Sequence, residues 1–150
     1  MNYNLSDNEL RQICKEKIES LEFWLRRLID EILTEAYRDY FTFQDANGNF
    51  LFGSAIRKAI SKRKEVEPER YPRMIDAVLF NDSIDIICHP NLYKKHFAAA
   101  LVEAFPDGRE EAKTFLERLV EPRNRLGCTH PPRRLIPNFS TPLKSVLPLV

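Results

Sequence analysis

The stretch "REEAKTFLERLVEPRNRLGCTH", Arg109 to His130, decides how this chain is read. Ala112, Phe115, Leu116, Leu119 and Val120 recur at the spacing of one helix face and predict a buried stripe. Carried on at the same interval, that stripe reaches Arg123, Leu126 and His130. In an unbroken helix, side chains seven residues apart fall within roughly 20° of each other, so Arg123 and His130 would share a face. Burying a guanidinium and an imidazole without partners costs several kcal/mol, so the two are expected to be paired, wet or at an interface. Pro122 removes one helical hydrogen bond and predicts a kink or a restart, Gly127 is a candidate stop, and Pro131-Pro132 ends any helix.

Upstream, "LSDNELRQICKEKIESLEFWLRRLIDEILTEAYRDYF" reads as one long amphipathic helix. Ser6 and Glu9 have the spacing of a capping box. Leu10, Ile13, Ile18, Leu21, Leu25, Leu28, Ile32 and Ala36 are its expected apolar face, widened by Trp24, Ile29 and Tyr37. The pattern breaks at "TFQDANGNFLFG", where Asn47-Gly48 predicts a turn, with a short hairpin between "FTF" and "FLF" as one form of it. Asp45, Asn47 and Asn49 imitate a calcium loop, but the glycine comes too early and no acidic residue closes it; a turn is the better reading.

A basic helix follows the Ser54 cap, and its Arg57, Lys58, Lys62, Arg63 and Lys64 read as a solvated face rather than a phosphate site. "RMIDAVLF" suggests a short helix, and "NDSIDIICHP" is too short to assign to helix or strand. Pro90 opens a helix whose apolar side is Leu92, Phe97, Ala100, Leu101 and Ala104. His96 borders that side and reads as a packed, hydrogen-bonded residue. From Gly127 onward five prolines and no acidic residue predict an extended, turn-rich tail. The expected architecture is an all-α bundle over residues 1–130 with a proline-rich C-terminal tail over 131–150.

Composition sets outer limits. A formal net charge of +1 gives no support for a strongly cationic nucleic-acid coat. Residues 121–150, however, carry five basic side chains and one acidic, which suits a phosphate-bearing ligand. Cys14, Cys88 and Cys128 are irregularly spaced, imply no disulfide framework, and form no recognised zinc spacing with His89 or His130. With no signal peptide and no long apolar run, the expected location is the cytoplasm, without membrane association.

"LERLVEPRNRLGCTH" resembles the signature end of HEPN domains, an all-α family with an Arg, usually a polar residue such as Asn, and then a His. "HPNLYKKHFAAALVEAFPDGREEAKTFLERLVEPRNRL" and the opening helix ending "EAYRDYF" are similar to bacterial members, so the likeness spans roughly residues 10–130. The resemblance implies a homodimer with two facing motifs, in many members a metal-independent endoribonuclease needing no cofactor. Arg123, Asn124 and His130 would be the catalytic group. Arg123 would hold the scissile phosphate, Asn124 would orient it or His130, and His130 would move the proton.

Arg125, Arg133 and Arg134 are the further RNA-binding candidates. An antitoxin or regulatory protein is a possible partner of a toxin or phage-defence ribonuclease of this kind. Six residues separate Arg123 from His130, at the long end of the family's range; Arg125 offers a second register but lies about 140° from His130 on a helical wheel. Members paired with nucleotidyltransferase antitoxins carry a Tyr three positions past the His, where this chain has Arg133. The alternative is a non-catalytic RNA- or protein-binding or dimerisation module. On the plainest reading Arg123 pairs with a carboxylate such as Glu117 or Glu121 and His130 is structural.

Overall fold

The computed structural model describes residues 6–125, which form helices and turns with no strand among them. His130, Arg133, Arg134, Cys128, Gly127, the boundary at 130 and the tail over 131–150 lie outside the described residues. No helix among those described is long and apolar enough to cross a membrane.

Helix α1, Asp7–Tyr37, is the spine. Half of the expected capping box is present: the Glu9 backbone N–H donates to Ser6 Oγ at 3.2 Å, while the Glu9 carboxylate accepts from the Ser6 hydroxyl at 3.0 Å rather than from its backbone N–H. The buried face is rotated from the expected one. Ile18, Leu21, Leu25, Ile29 and Leu33 are buried, whereas Leu28 and Ile32 are half-covered and Ala36 is exposed. Leu10 and Ile13, expected in the stripe, are 48% and 41% exposed. Nothing among the described residues covers the first turns of α1, so periodicity there continues without a partner.

Arg38 ends the helix at φ 64°, the one described non-glycine residue with positive φ, and its N–H donates to Thr34 O at 2.8 Å. The turn at Asn47-Gly48 follows, and the hairpin shrinks to one antiparallel bridge between Gln44 and Phe50. Asp45 Oδ1 accepts the backbone N–H groups of Asn47 and Asn49 at 2.8 and 2.9 Å. Gly48, at φ 79°, supplies the left-handed step.

Helix α2, Ser54–Val66, leads to a 3₁₀ turn, Met74–Ala77, shorter than the helix expected of "RMIDAVLF". The segment left open by sequence is helix α3, Phe80–Ile87. Pro90 then begins a continuous helical segment built of α4 (Pro90–Leu92), a π-turn (Tyr93–Phe97) and α5 (Ala98–Leu101). The extra residue in the π-turn shifts the helical phase. Phe97 and Leu101 stay buried, but Ala100, expected with them, faces solvent.

Helix α6, Arg109–Glu117, stops where Arg118 and Leu119 form a turn, and α7, Val120–Arg125, restarts. Pro122 lies in the first turn of α7, where its missing N–H breaks no helical bond. The core gathers the α1 stripe, Ile60, Phe80, Ile84, Ile87, Phe97, Leu101, Ala112, Leu116 and Leu119. Each of these Leu, Ile and Phe side chains contributes about 1.5–3 kcal/mol by leaving water, and Ala112 less. Helices α1 and α3 pack directly on each other, and α3 packs on α6, so α7 emerges beside α1.

Candidate functional site

Glu22 occupies the centre of the α1 stripe, between Ile18 and Leu25, and is 2% exposed. Arg26, one turn on, is 8% exposed. A buried carboxylate is tolerated only where cations and hydrogen bonds replace its water. Here two arginines do so. Arg26 Nη1 lies 3.4 Å from Glu22 Oε1 and also donates to Val78 O at 3.3 Å. Arg123 reaches the same carboxylate from α7 with a two-pronged contact, Nη2 to Oε1 at 3.2 Å and Nε to Oε2 at 3.3 Å. Arg123 therefore has the partner that its place in the stripe demands, but that partner is Glu22, not Glu117 or Glu121.

The side chain of Arg123 is 16% exposed, against 3% for Glu22. Its Nε edge is spent on the carboxylate, while Nη1 lies 3.4 Å from Asn124 Oδ1. Two guanidinium groups around one carboxylate leave a net unit of positive charge. Burial pulls Arg26 below the ordinary arginine range, partly offset by Glu22 and Asp76, and Arg123 adds to the lowering. Burial raises the nearby Glu19 carboxyl despite Lys15 and Arg123. The cluster is an oriented cation with a neighbouring amide, the kind of group that pairs with an anionic oxygen through N–H groups not spent on Glu22 or Asn124.

Of the expected site residues, the structure brings Arg123 and Asn124 together. Arg125 stands apart, exposed and in a loose i,i+4 pair with Glu121 at 3.8 Å. Sequence reading missed Glu22 and Arg26. Their signal was available: charged residues at i and i+4 in the middle of an apolar stripe.

His96 is held by the π-turn with Nε2 2.5 Å from the Tyr37 hydroxyl, and the rings meet edge-on at 5.1 Å. This is the packed, hydrogen-bonded role expected of it. Burial and Lys95 hold its pKa below the usual histidine range, and burial raises that of Tyr37. In the basic helix, Arg63 bonds Ala77 O at 2.9 Å and Asp82 at 2.7 Å, and Arg57 lies over the Phe50 ring at 3.4 Å. Those two are structural braces, while Lys58 and Lys62 are exposed as expected of a solvated face. Comparison of the chain with family models, with curated proteins and with solved structures finds no match.

Proposed function

We propose that this chain is a HEPN-type domain acting on RNA, as a metal-independent endoribonuclease whose motif is Arg123, Asn124 and His130. One observation carries the reading: a guanidinium in an apolar stripe is pinned in two places by a buried carboxylate 101 residues away in sequence. A side chain held that way presents its remaining N–H groups at a fixed position, which is what stabilising charge on a phosphate requires. Asn124 beside it supplies an amide that orients the same ligand. His130 follows within five residues of Arg125 and supplies the proton-transfer group.

In the proposed reaction His130 takes the proton of a ribose 2′-hydroxyl, and that oxygen attacks the adjacent phosphorus. The bond from phosphorus to the 5′ oxygen breaks, and that oxygen leaves as a hydroxyl with the proton His130 had taken up. A 2′,3′-cyclic phosphate and a 5′-hydroxyl result. A homodimer would face two such motifs across a two-fold axis, as the resemblance implies.

A second reading draws on the same contact. Glu22 already occupies one edge of Arg123 and offsets part of its charge, which suits a module that binds RNA or protein without cutting. The experiment is incubation of cellular RNA with purified protein in EDTA, beside a His130→Ala variant matched for folding and oligomeric state. Cleavage by the wild type that the variant loses supports the ribonuclease. Binding without cleavage in both supports the module, and equal cleavage by both overturns the role of His130.

A further inference from the structure

A cleft of mixed apolar and polar lining opens at the far end of α1, about 22 Å from Glu22 at 1.5 Å per residue to Tyr37. Its volume is about 380 Å³, toward the small end of the range for small-molecule sites. Three parts of the fold wall it: the last turn of α1, the turn around Asn47-Gly48, and the residues where the π-turned helix begins. None of the motif residues lines it.

The lining divides by chemistry. Tyr37, Phe43, Phe50 and Leu92 give flat or apolar surface. Tyr37 and Phe43 pack at 4.6 Å between centroids, and the Arg57 guanidinium lies over Phe50, so this wall is fixed before any ligand arrives. Around it sit the amides of Asn49 and Asn91, the imidazole of His89 and the ammonium of Lys95. Asp45 adds a carboxylate, but its Oδ1 is already engaged by two backbone N–H groups, and one carboxylate makes a poor cation cage. His89 Nδ1 is buried and has no hydrogen-bond partner among the described residues. That nitrogen is closed off from solvent, so it does not itself face the open cleft.

The helix wall is itself unusual. The Ala98 N–H reaches back to Tyr93 O, the wide spacing of a π-turn, and such turns recur at functional sites. The widened turn carries Lys95 to the cleft and His96 to Tyr37. A ring wall, amides that pair with donor and acceptor edges, and one cation define a ligand with a planar heteroaromatic ring and an anionic group.

We infer that the cleft between Tyr37, Phe43, Asn91 and Lys95 binds a nucleobase bearing a phosphate, as an unpaired residue of an RNA strand. The ring stacks on the aromatic wall, Asn91 meets its edge, and Lys95 takes the phosphate. The RNA source rests on the proposed ribonuclease reading; the ring-and-phosphate chemistry does not. The spacing from Arg123 makes the cleft a specificity site several nucleotides from the scissile bond.

The test is titration of the full-length protein with AMP, CMP, GMP and UMP, then with 2′-O-methyl tetranucleotides that resist cleavage, followed by amide chemical shifts. The expected result is saturable shifts at Asn49, Asn91 and Lys95, weakened about tenfold by Lys95→Gln and by Asn91→Ala, both exposed substitutions. Tighter binding of a tetranucleotide than of its mononucleotide identifies the strand, and equal binding identifies a free nucleotide as the source. No saturable shift with any probe overturns the proposal, as do shifts elsewhere that both variants leave unchanged. The two readings fail separately: His130→Ala removes cleavage and leaves this binding intact, whereas Lys95→Gln raises KM for RNA with kcat little altered.

Discussion

Arg123 on α7 and Glu22 on α1, 101 residues apart in sequence, meet in a two-pronged contact with Nη2 3.2 Å from Oε1 and Nε 3.3 Å from Oε2. Arg26 shares the carboxylate at 3.4 Å, so the three charges form one unit. Removing Glu22 leaves two cations facing each other in a mostly dry site. Glu22→Ala is expected to cost about 3–5 kcal/mol, the range for breaking a buried pair from one side. Urea unfolding measures it, and a loss under about 1 kcal/mol would mean that the contact is dispensable. Replacing Arg123 by Lys, which lacks the planar fork, should keep the fold and weaken whatever the cluster binds.

A second network ties the end of α1 to the segment before the 3₁₀ turn. Asp30 accepts from Arg73 Nη1 and Nη2 at 2.9 and 2.7 Å and from the Tyr40 hydroxyl at 2.8 Å. Burial pushes the Asp30 carboxyl up, but these hydrogen bonds more than reverse it and hold the pKa below the ordinary 3.8. The stabilisation is therefore present above about pH 4 and lost as pH falls through the depressed value. Asp30→Asn should cost about 1–2 kcal/mol at pH 7, the low end because Arg73 is 60% exposed and screened. Its unfolding free energy should also fall less steeply than wild type below pH 4, as acid titration by circular dichroism would show.

His96, packed beside Tyr37, gives a pH dependence of the same sense at higher pH. His96 is held below its ordinary 6.5, first by burial and then by Lys95. The unfolded chain thus takes up this proton before the folded one, and stability drops as pH falls below about 6.5. The drop ends below the folded value. His96→Gln should flatten this part of the stability curve, and equal slopes for variant and wild type between pH 5 and 7 would remove His96 as its source.

Thiol chemistry separates the two described cysteines. Cys14 is exposed on the uncovered end of α1, while Cys88 is buried and its thiol is pushed up to about 11 by desolvation. A buried thiol kept protonated is a poor nucleophile. Iodoacetamide at pH 8 followed by peptide mass spectrometry should label Cys14 within minutes and leave Cys88 unmodified until denaturant is added. Equal labelling rates would show that α3 opens locally far more easily than its packing implies.

Much of the helical plan is legible in the sequence, because caps, prolines and 3.6-residue periodicity act locally. Ser6 with Glu9, Pro90 and Pro122 each act at the helix boundary their chemistry dictates. Which face of a helix finds a neighbour is not local. Leu10 and Ile13 fit the periodic pattern and stand exposed, while Glu22 and Arg26 break it and are buried. Periodicity reports what a helix offers, and the packing of α1 against α3 and α7 decides what is taken up.

The sequence by itself determined the helical class of the described residues, a turn at Asn47-Gly48 and an arginine in need of a partner near Pro122. Only the tertiary structure decided that the partner is Glu22, that the segment from Pro90 to Leu101 carries a π-turn, and that Tyr37, His89 and Lys95 border one cleft. The reason is physical. Capping and helical spacing are set by groups within a few residues of each other, whereas a buried ion pair exists only where two distant elements together exclude water from it.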